Sequence, residues 1–431
     1  MKKIIAIITF TIVLMMLTGC RNDGQHKSKD SSKSNGQSAD ELPIADINDI
    51  NGVQNSDELL VADKIVVITY SLSGDIEASL NIKALKASYG EERVIHIAWP
   101  SESSEEAITK ILQEVSEDPG VRALVLDDLY RNRTLLNELK NVRDDIFVVY
   151  TPSIYWSLPS DVDPDLGADL IIWTDLRRRG ESYVTQAKSM GADTIVHYSF
   201  PREYSEPAIA TARDAMKTTA EREGVRFIEV ETIDPYSDVF YDILPDFIYQ
   251  DLPRQVESLS ENTAFCGTSY LMQQPILSQV IATKAIFVNT DCLSSPYEKY
   301  PEVLGIECEI RTDEKDDNGL TIKRQLEPAE LVRAIDEAVD NVGMAGRISG
   351  WVVSDSTMWR TIGFKYAVEW LDGNVPQERG VIDIDTLRRL AREYTTQLSV
   401  DADVTLEAIT HDGAVIERYI QGIVDYHVYG N

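Results

Sequence analysis

The sequence predicts an α/β protein built as two doubly wound parallel-sheet lobes joined by a hinge. Three observations predict it. Short continuous runs of apolar, β-forming residues, beginning with Lys64-Ile-Val-Val-Ile-Thr-Tyr70, recur along most of the chain, and such runs suit strands buried on both faces of a parallel sheet. Helical stretches alternate with them through short connections, the rhythm of repeated βα units. The pattern restarts near Asp193 and then supplies more units than one compact sheet usually holds, which divides them between two lobes.

The elements follow in order. After the run at Lys64, a helical stretch from Glu77 to Tyr89 leads to a strand, Arg93 to Trp99. Ser103 and Glu106 have capping-box spacing ahead of Ile108, Ile111, Leu112 and Val115. Val121 to Leu126, Ile146 to Tyr150 and Ala168 to Trp173 are the next strands. A helix from about Glu181 to Met190 then runs into Asp193 to Ser199, followed by a long helix from Pro207 to Glu223 and a strand from Val225 to Val230. Thr263 to Cys266, a helix around Met272 to Ala282, and Ala285 to Asn289 continue the alternation. The late elements are Val303 to Glu309, Ile348 to Val353, and helices at Pro328 to Asn341, Thr357 to Leu371 and Asp383 to Tyr394. The polar stretch Asp313 to Gly319 reads as an exposed loop. Val404 to Ile409 and Val415 to Tyr419 flank Asp412-Gly413, a hairpin signal that adds antiparallel strands at the end. The expected lobes are therefore residues 64–192 and 193–300, with 301–431 crossing back to complete both and adding a C-terminal extension.

Ahead of the folded part, Lys2 and Lys3 precede a largely apolar, uncharged run from Ile4 to Leu17. That run is shorter than the roughly 20 residues a membrane-spanning helix needs, and with its positive start it reads as an export leader. Leu17-Thr18-Gly19-Cys20 resembles a bacterial lipobox. The resemblance implies that residues 1–19 are removed and that Cys20, lipidated as the new N-terminus, ties the chain to the lipid bilayer from the extracytoplasmic side, facing the periplasm or the cell surface. Residues 20–63, rich in Ser, Asn, Asp, Lys and Gly, read as a flexible tether, Leu42 to Val53 being slightly more apolar.

Charge excludes one class of partner. Acidic residues number 72 against 41 basic ones, for a net charge of −31 over 431 residues, a field that repels nucleic acid and leaves a well-solvated surface. Cys266, Cys292 and Cys308 have no Cys-x-x-Cys spacing, so neither a disulfide framework nor a structural zinc site follows. A Cys266–Cys292 bridge is the one pairing to test, with free buried thiols as the default. No phosphate-binding Gly-rich loop, Gly-x-Ser-x-Gly elbow or His-Glu-x-x-His is present. His96 and His197 fall within predicted strands and read as core residues. The expectation is a protein that is not an enzyme and uses neither metal nor cofactor.

The order of elements resembles the type I periplasmic binding proteins, two-lobed solute receptors. It is carried chiefly by Gly180 to Pro296, with Gly191-Ala-Asp-Thr-Ile-Val at a lobe crossing, Arg213 in the following helix, Thr263-Ala-Phe-Cys-Gly-Thr-Ser269 and Ala285-Ile-Phe-Val-Asn-Thr-Asp291. It spans about Lys64 to Leu371 and points to a lipoprotein branch of that fold; the acidic loop near Asp313 and the C-terminal extension depart from it. The resemblance implies a receptor that closes on a small polar ligand, sugar- or nucleoside-like, and hands it to a membrane permease of the ABC type. A sensor signalling to a membrane kinase or chemoreceptor, and a surface enzyme, are the alternatives.

Ligands of open α/β sheets sit outside the carboxyl ends of the strands, which selects the candidate residues. From the first lobe they are Tyr70, Ser71 and Ser73, Trp99 and Ser101, Asp127 and Asp128, and Tyr150 and Thr151. Adjacent strand residues point to opposite faces, so only one of Asp127 and Asp128 faces a ligand. From the second lobe they are Ser199, Arg202 and Tyr204, Asp234 and Tyr236, Gly267, Thr268 and Ser269, and Asp291. Each has a structural alternative: aromatics at strand ends also pack, Ser and Asp after strands also cap helices, and Arg202 could instead pair with Glu203 or Glu206.

Overall fold

A computed structural model describes residues 63–69, 75–99, 104–127, 133–152, 158, 160, 162–234, 243–289, 295–315, 321–400 and 402–430. The leader and tether, Cys20, and the candidates Tyr70, Ser71, Ser73, Ser101, Asp128, Tyr236 and Asp291 lie outside the described residues, as does Cys292.

In chain order the first lobe runs β1 (Lys64–Thr69), α1 (Ile76–Tyr89), β2 (Val94–Ala98), α2 (Glu105–Glu117), β3 (Val121–Asp127), α3 (Thr134–Val142), β4 (Phe147–Thr151) and β5 (Leu170–Thr174). Then come α4 (Leu176–Ser189), β6 (Thr194–Ser199), α5 (Pro201–Tyr204), α6 (Pro207–Glu223), β7 (Arg226–Glu231), α7 (Ile243–Ser258), β8 (Thr263–Gly267), α8 (Tyr270–Thr283), β9 (Ile286–Phe287) and α9 (Pro296–Leu304). A hairpin, β10 (Glu309–Lys315) and β11 (Thr321–Gln325), precedes α10 (Pro328–Asn341) and β12 (Ser349–Gly350). The chain closes with α11 (Asp355–Leu371), α12 (Ile384–Gln397), β13 (Val404–His411), β14 (Ala414–Val424) and β15 (His427–Val428).

The first sheet has the order β13-β14-β5-β4-β3-β1-β2 and the second β7-β6-β8-β9. Strands β1 to β5 run parallel, as do β6 to β9. A parallel bridge from Phe287 to Ile348 brings the segment leading into β12 alongside β9. Both sheets start their winding in the same way, the second strand outside the first and the later strands on its other side. This is the two-lobed, type I periplasmic-binding-protein-like architecture.

Side-chain alternation gives each sheet two apolar faces. Val66, Ile68, Leu124, Leu126, Val148 and Tyr150 face the α2–α3 side of the first sheet. Ile65, Val67, Ala123, Val125 and Val149 face the other side, and the cluster they join continues through α11, α10, α8 and α7 into the second lobe. Full burial of one such side chain contributes about 1.5–3 kcal/mol, so this shared cluster is a principal bond between lobes.

Among the described residues the chain passes between the sheets at three places: Thr174 to Leu176, Gly350 to Asp355, and Val424 to His427, where β15 pairs antiparallel with β12. The first passage precedes α4, which packs on α6; Tyr183 Oη donates to Phe265 O at 3.0 Å in β8. The boundary expected at Asp193 thus falls one helix late, because the apolar stripe of α4 faces the second sheet.

Other differences are local. The N-cap of α2 is Ser104, whose Oγ accepts from Ala107 N at 3.3 Å, one residue beyond the expected Ser103. Val303 and Leu304 end α9 instead of opening a strand, since Pro at its first position and Ser295 as cap start the helix earlier. Asp313 to Lys315 belong to β10 instead of the loop expected there, whose other residues lie outside the described ones. Helix α7 had no counterpart in the sequence reading because Pro245 and Pro253 punctuate it. The C-terminal hairpin turns at Asp412 and Gly413, with φ of 49° and 79°, the doubly left-handed pair a tight two-residue turn requires. Cys308 is a free thiol, and the buried Cys266 Sγ lies 3.8 Å from Val196 O.

Candidate functional site at the lobe junction

The carboxyl ends of β3, β4 and β5 place Asp127, Thr151 and Thr174 along one edge. Helix α11 starts against that edge because its cap, Ser354, accepts from Thr357 N at 3.3 Å. The first turns of α11 then press an arginine into the sheet. Arg360, 2% exposed, donates from Nη1 to Asp127 Oδ2 at 2.6 Å, from Nε to Asn81 Oδ1 at 3.0 Å, and from Nη2 to Thr357 Oγ1 at 3.1 Å. Thr151 Oγ1 donates to the other Asp127 oxygen at 3.0 Å. Burial pushes the Asp127 carboxyl up from its ordinary value, and the guanidinium works against that shift. Beside this group, Trp359 Nε1 donates to Thr174 Oγ1 at 2.9 Å, and Thr174 Oγ1 donates to Asp355 Oδ2 at 3.0 Å.

The second sheet presents hydroxyls. Ser199 Oγ and Thr268 Oγ1 are 2.8 Å apart, and Thr268 N donates to Tyr198 O at 3.1 Å. Ser269 caps α8, its Oγ accepting from Leu271 N at 3.4 Å. Thr232 N donates to Ser199 O at 2.6 Å. Arg202 is half exposed and donates from Nε to Asp234 Oδ2 at 3.0 Å. Burial raises the Tyr204 phenol to about 12, and its ring lies 5.3 Å from the Arg213 guanidinium.

Between the two edges lie the passages themselves. Trp351 N donates to Asn289 Oδ1 at 3.4 Å, Arg179 stands 5.1 Å from the Trp351 ring centre, and Tyr426 stacks obliquely on the same ring at 6.2 Å. Nearby, Glu77 in the first turn of α1 is fully buried. Its Oε1 accepts from Ser354 N at 2.9 Å and Ser354 Oγ at 2.5 Å, and its Oε2 accepts from Ser295 Oγ. Ser295 caps α9 and Ser354 caps α11. Three helix N-termini therefore converge on one carboxylate, each with a partial positive end toward it. Burial nevertheless pushes Glu77 above its ordinary value, the hydroxyl and backbone donors opposing.

The structure sorts the expected residues. It brings Asp127 beside Thr151 and Ser199 beside Thr268, while Ser269 caps α8. Trp99 and Tyr150 are buried in the core on the α2–α3 face, 3% and 1% exposed. Gly267 is packed under Met272, whose Sδ would lie 2.7 Å from an added Cβ. The sequence reading missed Arg360, Glu77, Asn289 and Trp351. One signal was present: Arg360 stands alone as a cation among Met358, Trp359, Ile362 and Phe364, and a charge in an apolar helix implies a buried partner. Among the described residues no group of three or more His, Cys, Asp and Glu is placed to hold a metal, and no helix is long and apolar enough to cross a membrane.

The family described as "Protein of unknown function (DUF3798)" matches residues 64–349. The chain belongs to that family. Two uncharacterized proteins of Treponema pallidum (strain Nichols) are similar to it. One is 27% identical over 171 residues, covering 38% of this chain and 75% of the relative. The other is 26% identical over 139 residues, 32% of this chain and 62% of the relative. Among solved structures, a putative transcriptional regulator from Clostridium difficile 630 superposes with a TM-score of 0.69 at 20% identity, covering 85% of this chain and 99% of that one. That likeness concerns the fold. A sugar ABC transporter protein from Actinomyces odontolyticus ATCC 17982 has a TM-score of 0.47 at 12% identity, over 75% of this chain and 87% of that one.

Proposed function

We propose that this DUF3798 protein is an extracytoplasmic receptor, anchored through lipid on Cys20, that closes its lobes on a small polar ligand for delivery to an ABC-type membrane permease. The observation that carries the reading is the pair of parallel sheets wound in the same order and linked by three passages. Ligands of such sheets collect at the carboxyl edges, and here those edges carry hydroxyls and one buried ion pair. The receptor works by binding, without chemistry on the ligand. Closure follows if the ligand touches both lobes and so favours the closed arrangement, since equal affinity for open and closed forms shifts nothing. A hydroxyl-rich solute of the sugar or nucleoside kind suits Ser199, Thr268 and Thr151.

The N-terminal sequence supports the location: the leader and Leu17-Thr18-Gly19-Cys20 resemble a processed lipoprotein. The regulator named among the structural neighbours suggests DNA binding as a rival role, which a net charge of −31 disfavours. Thermal-shift screening of the chain against sugars, nucleosides, amino acids and short peptides tests the reading, since a ligand raises the midpoint in proportion to the logarithm of its excess over Kd. Silence across all four classes sinks it. Mass spectrometry of the N-terminal peptide from a host with lipoprotein processing tests the anchor, and an unmodified Cys20 overturns it.

A further inference from the structure

A groove of about 490 Å3 opens on the helical side of the first sheet, and among the described residues no strand residue lines it. Its walls are α1 and α12, its floor is α11, and one end is the start of α10 from the second lobe. Thr357, Thr361 and Lys365 form a single row along the floor, four residues apart. Leu80, Leu85 and Leu398 supply apolar wall, and Tyr394, Asn81 and Thr361 supply polar atoms.

Lys365 is the cation of this lining. Its Nζ donates to Gln397 Oε1 at 3.2 Å and stands 5.4 Å from the Tyr394 ring centre. No carboxylate among the described residues lies within ion-pairing distance of it, in a chain where acids outnumber bases 72 to 41. Glu393, whose field reaches Lys365, is itself paired with Arg389 at 2.8 Å. Two carboxylates also face the groove. Glu77 is saturated by Ser295 and Ser354, and Glu327 stands at the α10 cap.

We propose that this groove is a second ligand site, which takes a small carboxylate with an apolar body, the carboxylate on Lys365 and the body against Leu80, Leu85 and Leu398. Burial pushes the Lys365 ammonium below its ordinary value, so a counterion restores what desolvation removes. Thr357 adjoins Glu77, and the eight-residue span from there to Lys365 is about 12 Å of helix. Repulsion from Glu77 at that range is about a third of the attraction at a 4 Å contact. The groove starts at Glu77, Asn81 and Thr357, the last two of which also hold Arg360 beside Asp127 at the carboxyl edge, and runs from there to Lys365; the proposal does not depend on the solute-receptor reading.

Calorimetric titration of the full chain with phenylacetate and with phenylacetamide, its uncharged counterpart, tests this. Phenylacetate should bind about tenfold more tightly than the amide. Lys365→Met should erase that preference, and Ala84→Trp, at an exposed position of the groove wall, should abolish binding of both. Equal affinity for the two probes, no binding of either, or binding unchanged in Ala84→Trp overturns the site. Should Lys365→Met fail to fold, as judged by its near-UV circular dichroism, the Ala84→Trp variant and the probe pair decide the matter together.

Discussion

Arg360 Nη1 lies 2.6 Å from Asp127 Oδ2, with the two side chains 2% and 7% exposed. The residues are 233 positions apart in the chain, so this contact exists only once the chain has returned to the first lobe. Removing one member of a buried pair strands the other. Asp127→Ala is expected to cost about 3–5 kcal/mol, measured by urea denaturation. Asp127→Leu combined with Arg360→Met should recover much of that loss, because no charge then remains buried. A single variant with unchanged stability would show that the pair is solvated in solution.

Glu77 joins three helix starts, and its loss should be felt according to what replaces it. Glu77→Ala leaves the Ser354 N–H and two hydroxyls without their acceptor, at about 1–3 kcal/mol for each group that finds no substitute. Glu77→Gln keeps an acceptor for the Ser354 N–H and can donate to a serine hydroxyl, so it should cost about 1 kcal/mol. Because the folded state raises this carboxyl, the group favours folding below its unfolded value and loses that contribution as pH rises through the folded one. The pH slope in the wild type should therefore flatten in Glu77→Gln, read from denaturation midpoints between mildly acidic and neutral pH.

Gly180 lets α4 meet α6. A Cβ there would sit 2.1 Å from Ala212 O, a backbone atom that cannot swing aside. Gly180→Ala should destabilise by about 1–3 kcal/mol or more and lower the thermal midpoint, whereas Gly191→Ala tests a different cause. At Gly191 nothing lies within 4 Å but φ is 94°, so any loss there is backbone strain. A Gly180→Ala protein as stable as the wild type would mean the helices sit farther apart.

Glu330 holds the start of α10 to the hairpin before it. Arg324 donates to its two oxygens at 2.6 and 2.7 Å, and the carboxyl is lowered from 4.5 to about 2. A lowered acid contributes stability above its unfolded value and loses it as pH falls through the folded one. The window is thus about 4.5 down to about 2. Solvent screens this partly exposed pair, so the amount is small. Glu330→Gln should be the less stable protein at neutral pH, with the gap closing across that window; a gap constant with pH would assign the effect to the helix cap alone.

Much of the fold was legible because its signals are local. Apolar runs such as Ile65 to Ile68 announce burial on both faces, and α6 and α10 begin at Pro207 and Pro328 as proline at a helix start requires. The candidate site was legible only in part. Ser199 and Thr268 end or follow strands and meet, but Trp99 and Tyr150 also stand at strand ends and are packed in the core. Position after a strand places a residue near the edge; which way it faces depends on the pleat and on the helix above it.

By itself the sequence determined the parallel strands, the βα alternation, the left-handed turn at Asp412 and Gly413, and the acidic surface. These depend on residues within a few positions of one another, or on composition alone. Only the tertiary structure decided that α4 packs with the second sheet, that Arg360 answers Asp127, and that Ser295 and Ser354 share Glu77. The contacts of Arg360 and Glu77 join residues more than two hundred positions apart, and the one from Tyr183 of α4 to β8 spans 82. Their energies come from removing specific polar groups from water together, which no local pattern records.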